Sequence, residues 1–201
     1  MRRWSATGER GVAAHGGYLL RSGSFRELEL VALARQVLAL EGLPQQGIHL
    51  ELSADLRRGV VRLAFGGPPE LSGEAGARWH ATHHLLASQL SLRNGAAVRA
   101  YALVPDAFEK VVTYGDGRAV GGETLQYADV ELPEEALEDD EAFALLQRSW
   151  PLGHLAHVFD LTREALLALG APAMRLPLDG SAPETRLDLL LPDPDDELLL
   201  A

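Results

Sequence analysis

The chain has 201 residues, 47% of them hydrophobic and 23% charged. This is the mix of a folded chain and excludes a disordered one. The formal net charge is −11 and there is no cysteine. The charge disfavours nucleic acid and anionic membranes, which are gripped by Lys and Arg. The missing thiols exclude disulfides, thiolate zinc sites, iron–sulfur clusters and cysteine nucleophiles.

Residues 1–16 read as a flexible N-terminus. They open with charge like a signal peptide, but Thr7, Glu9, Arg10 and His15 interrupt the apolar run such a peptide needs. No stretch has the length of a membrane span, so a cytoplasmic location is expected. "GGYLLRSG" (16–23) fits a first strand. A helix should follow, started by Ser24 and Glu27 as a capping box and stopped by Gly42 and Pro44. It is apolar nearly all round and is expected to be well buried. "IHLEL" alternates, with Ile48, Leu50 and Leu52 on one face and His49 and Glu51 on the other. "VVRLAF" (60–65) alternates too, and "ADLRRG" joins them as a hairpin. A second helix should run from about Ser72 to Arg93, closed by Asn94-Gly95, before the strand "AAVRAYALV" (96–104).

This βαββαβ succession is that of the ferredoxin-like unit. "AFEKVVTY", the turn "GDGR" and "AVGGETLQYADVEL" then predict a hairpin that extends the sheet. Asp-Gly favours a tight turn, and Gly121-Gly122 a bulge or bend. After Leu132 come a Pro-started acidic helix, two short helical runs and two closing strands, "AMRLPL" and "TRLDLLL". The expected fold is α+β: an antiparallel sheet in ferredoxin-like order, extended by a β-hairpin, with helices on one face and a small C-terminal helical subdomain. Residues 17–191 read as a single domain with a subdomain boundary near 131, and 192–201 as an acidic mobile tail.

Three of the seven histidines lie in "WHATHH". At 100° per residue, His83 joins Trp79, Leu86 and Leu90 on the buried stripe, while His80 and His84 flank it. His80 and His84 have the i, i+4 spacing of zinc proteases, and "HLAH" adds His154 and His157. The general-base Glu of that motif is absent, and no third ligand follows at a recognisable spacing. A half-buried, hydrogen-bonded His83 with its neighbours at the surface is the plainer reading.

From Asp129 to Glu141 there are eight acidic residues and no basic one. Glu134, Glu135, Glu138, Asp139 and Asp140 form a candidate docking face for a basic protein partner; a solvated helix face is the plain alternative. Residues 155–170 resemble a helix-turn-helix, with Ala156, Leu161 and Leu166 at its packing positions. The second helix, however, offers little beyond Arg163 to touch DNA. "GDGRAVGG" lacks the endings and spacing of phosphate loops, and no nucleophile elbow is present. Tyr101, Tyr114 and Tyr127 fall on successive strands, as a sheet-face platform or, more simply, as cross-strand pairs. The sequence therefore favours a non-enzymatic protein-binding module (an adaptor, an accessory subunit, or an inhibitor or immunity-type protein) that acts through an acidic face and needs no cofactor. A metal-dependent hydrolase using the histidines and a helix-turn-helix regulator are the alternatives.

Overall fold

Alternating apolar residues need a partner on the face they point to, and that requirement organises the molecule. The computed structural model describes residues 13–21, 27–55, 57–105, 107–126, 161, 163–180 and 184–185. Their strands are β1 (His15–Arg21), β2 (His49–Asp55), β3 (Val60–Gly66), β4 (Val98–Val104), β5 (Phe108–Gly115), β6 (Arg118–Gln126), β7 (Met174–Pro177) and β8 (Glu184–Thr185). The helices are α1 (Glu27–Leu40), α2 (Gly73–His80), α3 (Leu85–Asn94) and α4 (Arg163–Ala168). Among the described residues the strands form one sheet in the order β6-β5-β4-β1-β3-β2-β7-β8, with every pairing antiparallel. The protein is an α+β protein, and β4-β1-β3-β2 stand together in the middle of its sheet.

One face carries Tyr18, Leu20, Leu50, Leu63, Phe65, Val98 and Ala100, packed against α1 and α3. Leu30, Leu33, Ala34, Val37 and Leu38 of α1 are buried. That is one stripe rather than the whole circumference, since Gln36 and Leu40 are exposed. The capping-box residue Ser24 lies outside the described residues. The opposite face carries Leu19, Tyr101, Leu103 and Val111, covered by Leu161, Leu166 and Leu169 in and around α4. α1 and α3 thus share one face, while the other is covered by α4 from the C-terminal third. Of the helix-turn-helix resemblance, residues 155–160 lie outside the described residues, and Leu166 is fully buried against the sheet.

The helix expected over 72–93 is two helices. α2 stops at His80, residues 81–84 turn, and α3 begins at Leu85. The Ala81 carbonyl is taken by Lys110 Nζ at 2.7 Å and the His83 carbonyl by the Tyr18 hydroxyl at 2.8 Å, which ties the break to the sheet. Gly95 ends α3 in the left-handed conformation, φ 61°, as its sequence position predicts. Asp116 and Gly117, at φ 49° and 77°, make the tight β5–β6 turn. The register shifts so that Thr113 faces Gly121 and Tyr114 faces Ala119. Val120 is thus the extra residue of a bulge. Tyr101 and Tyr114 point to opposite faces, since Tyr101 belongs to the α4-side cluster and Tyr114 packs on the other, so they build no common platform.

Candidate functional site

Where β1 begins and β3 ends, the sheet is split. β1 pairs with β4 from His15 to Leu19, but its rungs with β3 run only from Tyr18–Leu63 to Arg21–Val60. Continued by two residues, the same register would set Gly16 opposite Phe65. Instead each backbone group has a side chain as partner. The Phe65 N–H donates to His80 Nε2 at 3.1 Å. The Gly16 carbonyl accepts from Arg62 Nη2 at 2.7 Å and Nε at 3.2 Å. Buried backbone groups must be paired somewhere, and here imidazole and guanidinium replace strand. The glycines make room. A Cβ on Gly16 would lie 3.0 Å from the His80 Cβ, and one on Gly17 2.4 Å from the Leu63 carbonyl oxygen, at a φ of +150°.

A cavity of about 290 Å³ opens at the split. Its wall includes His15, Glu51, Arg62, Phe65 and His80, together with Ser72, Gly73 and Gly76 from the start of α2. Arg62 is 4% exposed and is the hub. Its Nε also donates to Tyr101 Oη at 3.0 Å, and its Nη1 donates to the Leu169 carbonyl at 3.4 Å and lies 3.8 Å from Glu51 Oε2. Tyr101 Oη lies 3.0 Å from His15 Nδ1. The other ring nitrogen of His15, Nε2, is buried and has no hydrogen-bond partner among the described residues.

The electrostatics follow from burial and from Arg62. His15 is pushed down to about 3, first by burial and then by the Arg62 charge, so its ring is neutral at physiological pH. His80 is likewise pushed to about 3, mainly by burial. Its Nδ1 donates to the Gly76 carbonyl at 2.7 Å, which fixes the tautomer that lets Nε2 accept. Burial would raise the Glu51 carboxyl, but His49, Arg62 and Arg175 outweigh it and hold the group below its ordinary value. His49 Nε2 stands 3.6 Å from Glu51 Oε1, an ion-pair rather than a hydrogen-bond distance. Burial pushes Tyr101 up, keeping its hydroxyl protonated.

The sequence-derived candidates are distributed otherwise. His80 and His84 do not share a helix face, because α2 ends between them. Both His80 nitrogens are engaged, and His84 Nδ1 lies 3.0 Å from the Tyr114 hydroxyl. His80, placed at the surface by the helical wheel, is 2% exposed. His83 is half-buried, as expected, and stacks on Trp79 with centroids 4.4 Å apart. His154, His157, Glu134, Glu135, Glu138, Asp139 and Asp140 lie outside the described residues. Among the described residues no group of three His, Asp or Glu side chains is placed to hold a metal ion, and no helix is long and apolar enough to cross a membrane. The cleft residues His15, Glu51 and Arg62 escaped the sequence reading as a site, and Tyr101, which bonds to two of them, was read only within a tyrosine platform. Their one visible mark was a lone Arg in the apolar run "VVRLAF".

No protein-family model, no curated protein and no solved structure matches the chain.

Proposed function

We propose that this protein is a binding module whose β1–β3 cleft receives a small molecule. One observation carries the reading: His15, whose buried Nε2 has no partner among the described residues, lines a 290 Å³ cavity together with the buried Arg62. A buried polar atom left unpaired costs about 1–3 kcal/mol, and a ligand whose binding turns the His15 ring so that Nε2 is paired recovers that cost. The volume is near the lower end of small-molecule sites, and Phe65, Leu71 and Ala77 give the wall an apolar part. The test is a thermal-shift screen of a fragment library against the wild-type chain and His15→Phe. A ligand at one hundred times its Kd stabilises by about 2.7 kcal/mol, or roughly 5–10 °C for a domain of this size. Hits that vanish in His15→Phe support the cleft. Hits unchanged by His15→Phe, or no hits at all, reject it.

A second reading rests on the eight acids in thirteen residues between Asp129 and Glu141: this segment docks a basic protein surface. Binding of an arginine-rich peptide should then weaken steeply with salt and be lost when Glu134, Glu135, Glu138, Asp139 and Asp140 are all changed to Lys. Equal binding by the reversed chain removes this reading.

A further inference from the structure

His80 joins α2 to the sheet through both ring nitrogens. Nε2 accepts from the Phe65 N–H at 3.1 Å, and Nδ1 donates to the Gly76 carbonyl one turn back at 2.7 Å. A backbone N–H only donates and a carbonyl only accepts, so these partners admit one form of the ring: neutral, with its proton on Nδ1. A second proton would sit on Nε2 and set N–H against N–H. Little else holds α2 down. Its buried residues are Gly76, Ala77 and His80, with Trp79 half-buried. By contrast α1 buries Leu30, Leu33, Val37 and Leu38, and α3 buries Leu86, Ala87 and Leu90. Elements with few buried apolar contacts are the ones that open first. The turn after α2 is fixed separately, by Lys110 Nζ on the Ala81 carbonyl and the Tyr18 hydroxyl on the His83 carbonyl.

The surroundings of the ring resist that second proton. Burial is the largest influence and holds the ring at about 3, against an ordinary 6.5. Arg62 from β3 and His83 from the following turn act in the same direction, while the Gly76 carbonyl and Glu51 from β2 oppose them. From β1 the Tyr18 ring meets His80 edge-on at 5.4 Å, and burial keeps the Tyr18 hydroxyl protonated. On this side β4 offers Val98 and Ala100, which do not titrate, and Glu70, ahead of α2, is exposed. The proton is therefore accepted only by a ring that has left its place. We infer that acid releases α2: protonation of His80 Nε2 breaks its bond to Phe65, and residues 73–80 leave the sheet while α1, α3 and the strands beneath them stay packed. Eight residues do not persist as a helix alone, so the released segment melts. Ser72, Gly73, Gly76, Ala77 and His80 line the cavity, and the release opens the cleft along that wall. This goes beyond the ligand reading and stands without it.

Amide hydrogen exchange of the isotope-labelled full chain, read by NMR at pH 6 and pH 5 in low concentrations of urea, tests it. The Phe65 and Gly76 amides, bonded to His80 Nε2 and to the Ser72 carbonyl, report on the release. After correction for intrinsic rates, their protection should fall about tenfold from pH 6 to pH 5, the linkage of one proton. It should not respond to urea, because a local opening exposes little surface. Leu90 and Leu103 amides should instead follow urea with the slope of global unfolding. In His80→Gln, whose side-chain oxygen can take the Phe65 N–H at either pH, the fall should vanish. Phe65 and Gly76 amides that share the urea slope of Leu90 and Leu103 open only with the whole chain, and that result overturns the inference. Protection that does not change with pH overturns it too, as does an equal fall in His80→Gln. The wild-type ring gives a check that needs no variant: nitrogen shifts showing a protonated Nε2 while the Phe65 amide stays protected would also overturn it.

Discussion

Arg62 sits where an alternating strand would place a solvent-facing residue, yet it is 4% exposed and bonded to Gly16, Tyr101 and Leu169. A buried guanidinium is stable only while its partners remain, and the partners depend on it equally. Arg62→Met should therefore cost about 3–5 kcal/mol, the penalty for breaking a buried pair from one side. Adding Glu51→Gln should recover part of that loss, because the half-buried carboxylate would otherwise lack the Arg62 charge at 3.8 Å and keep only Arg175 at 3.9 Å as a cation. Urea denaturation midpoints of the two variants measure both effects; a loss below about 1 kcal/mol would mean the hub is solvated. The two buried histidines make a second prediction. Both have folded values near 3 against an ordinary 6.5, so between those limits the unfolded chain binds more protons than the folded one. Stability is then present above pH 6.5 and drains as the pH falls, by up to about 1.4 kcal/mol per pH unit for each ring. Denaturation series between pH 6.5 and 5 lie above the carboxylate range and read the histidines, His84 with its lowered value included. His80→Gln should flatten the slope by up to about 1.4 kcal/mol per pH unit; an unchanged slope would place the protonation elsewhere.

At the scale of elements, most strands were legible because Leu, Val and Ile alternate with polar residues and Gly-Pro or Asp-Gly punctuate them. The break inside "WHATHHLLAS" was not. It contains no Gly or Pro, and the periodicity of Trp79, His83, Leu86 and Leu90 runs straight across it. The chain turns there for tertiary reasons: Lys110 and Tyr18 supply partners for the carbonyls of Ala81 and His83. That turn resets the helical phase, which is why His80 rather than His83 is the fully buried ring. The cleft was hidden by a related cause. Glu51 and Arg62 alternate outward from β2 and β3, and nothing local reveals that residues beyond 160 will cover that face. The split itself is set by two adjacent glycines. Gly17→Ala places a Cβ 2.4 Å from the Leu63 carbonyl oxygen in a backbone conformation that L side chains avoid. It should destabilise the chain by more than about 3 kcal/mol, seen as a large fall in thermal midpoint. At Gly95, with left-handed backbone but open space, Ala should cost only about 1 kcal/mol. Equal losses at the two sites would show that conformation alone, and not the approach of β1 to β3, sets the requirement.

For the whole molecule, composition changes at about residue 131, and the sequence alone permits a boundary there. The contacts argue against an autonomous N-terminal unit. Leu176 and Leu178 lie in the core beneath α1 and α3, while Leu161, Leu166 and Leu169 lie in the core on the other face. β7 is hydrogen-bonded to β2, and the Leu169 carbonyl accepts from both Ser53 and Arg62. A chain ended at residue 131 would therefore expose apolar surface on both sides of its sheet and the N–H and C=O groups of β2 along one edge. Each of the five lost leucines is worth roughly 1.5–3 kcal/mol of burial, so their sum rivals the 5–15 kcal/mol that holds a typical domain together. Residues 1–131 expressed alone should be insoluble or bind a hydrophobic dye without a cooperative melt. The full chain should melt in one transition seen alike by near-ultraviolet dichroism and tryptophan fluorescence. A soluble 1–131 fragment with its own sharp transition would instead make the C-terminal third an appendage. The α4-side wall of the Arg62 hub would then be an interface between two units rather than the interior of one.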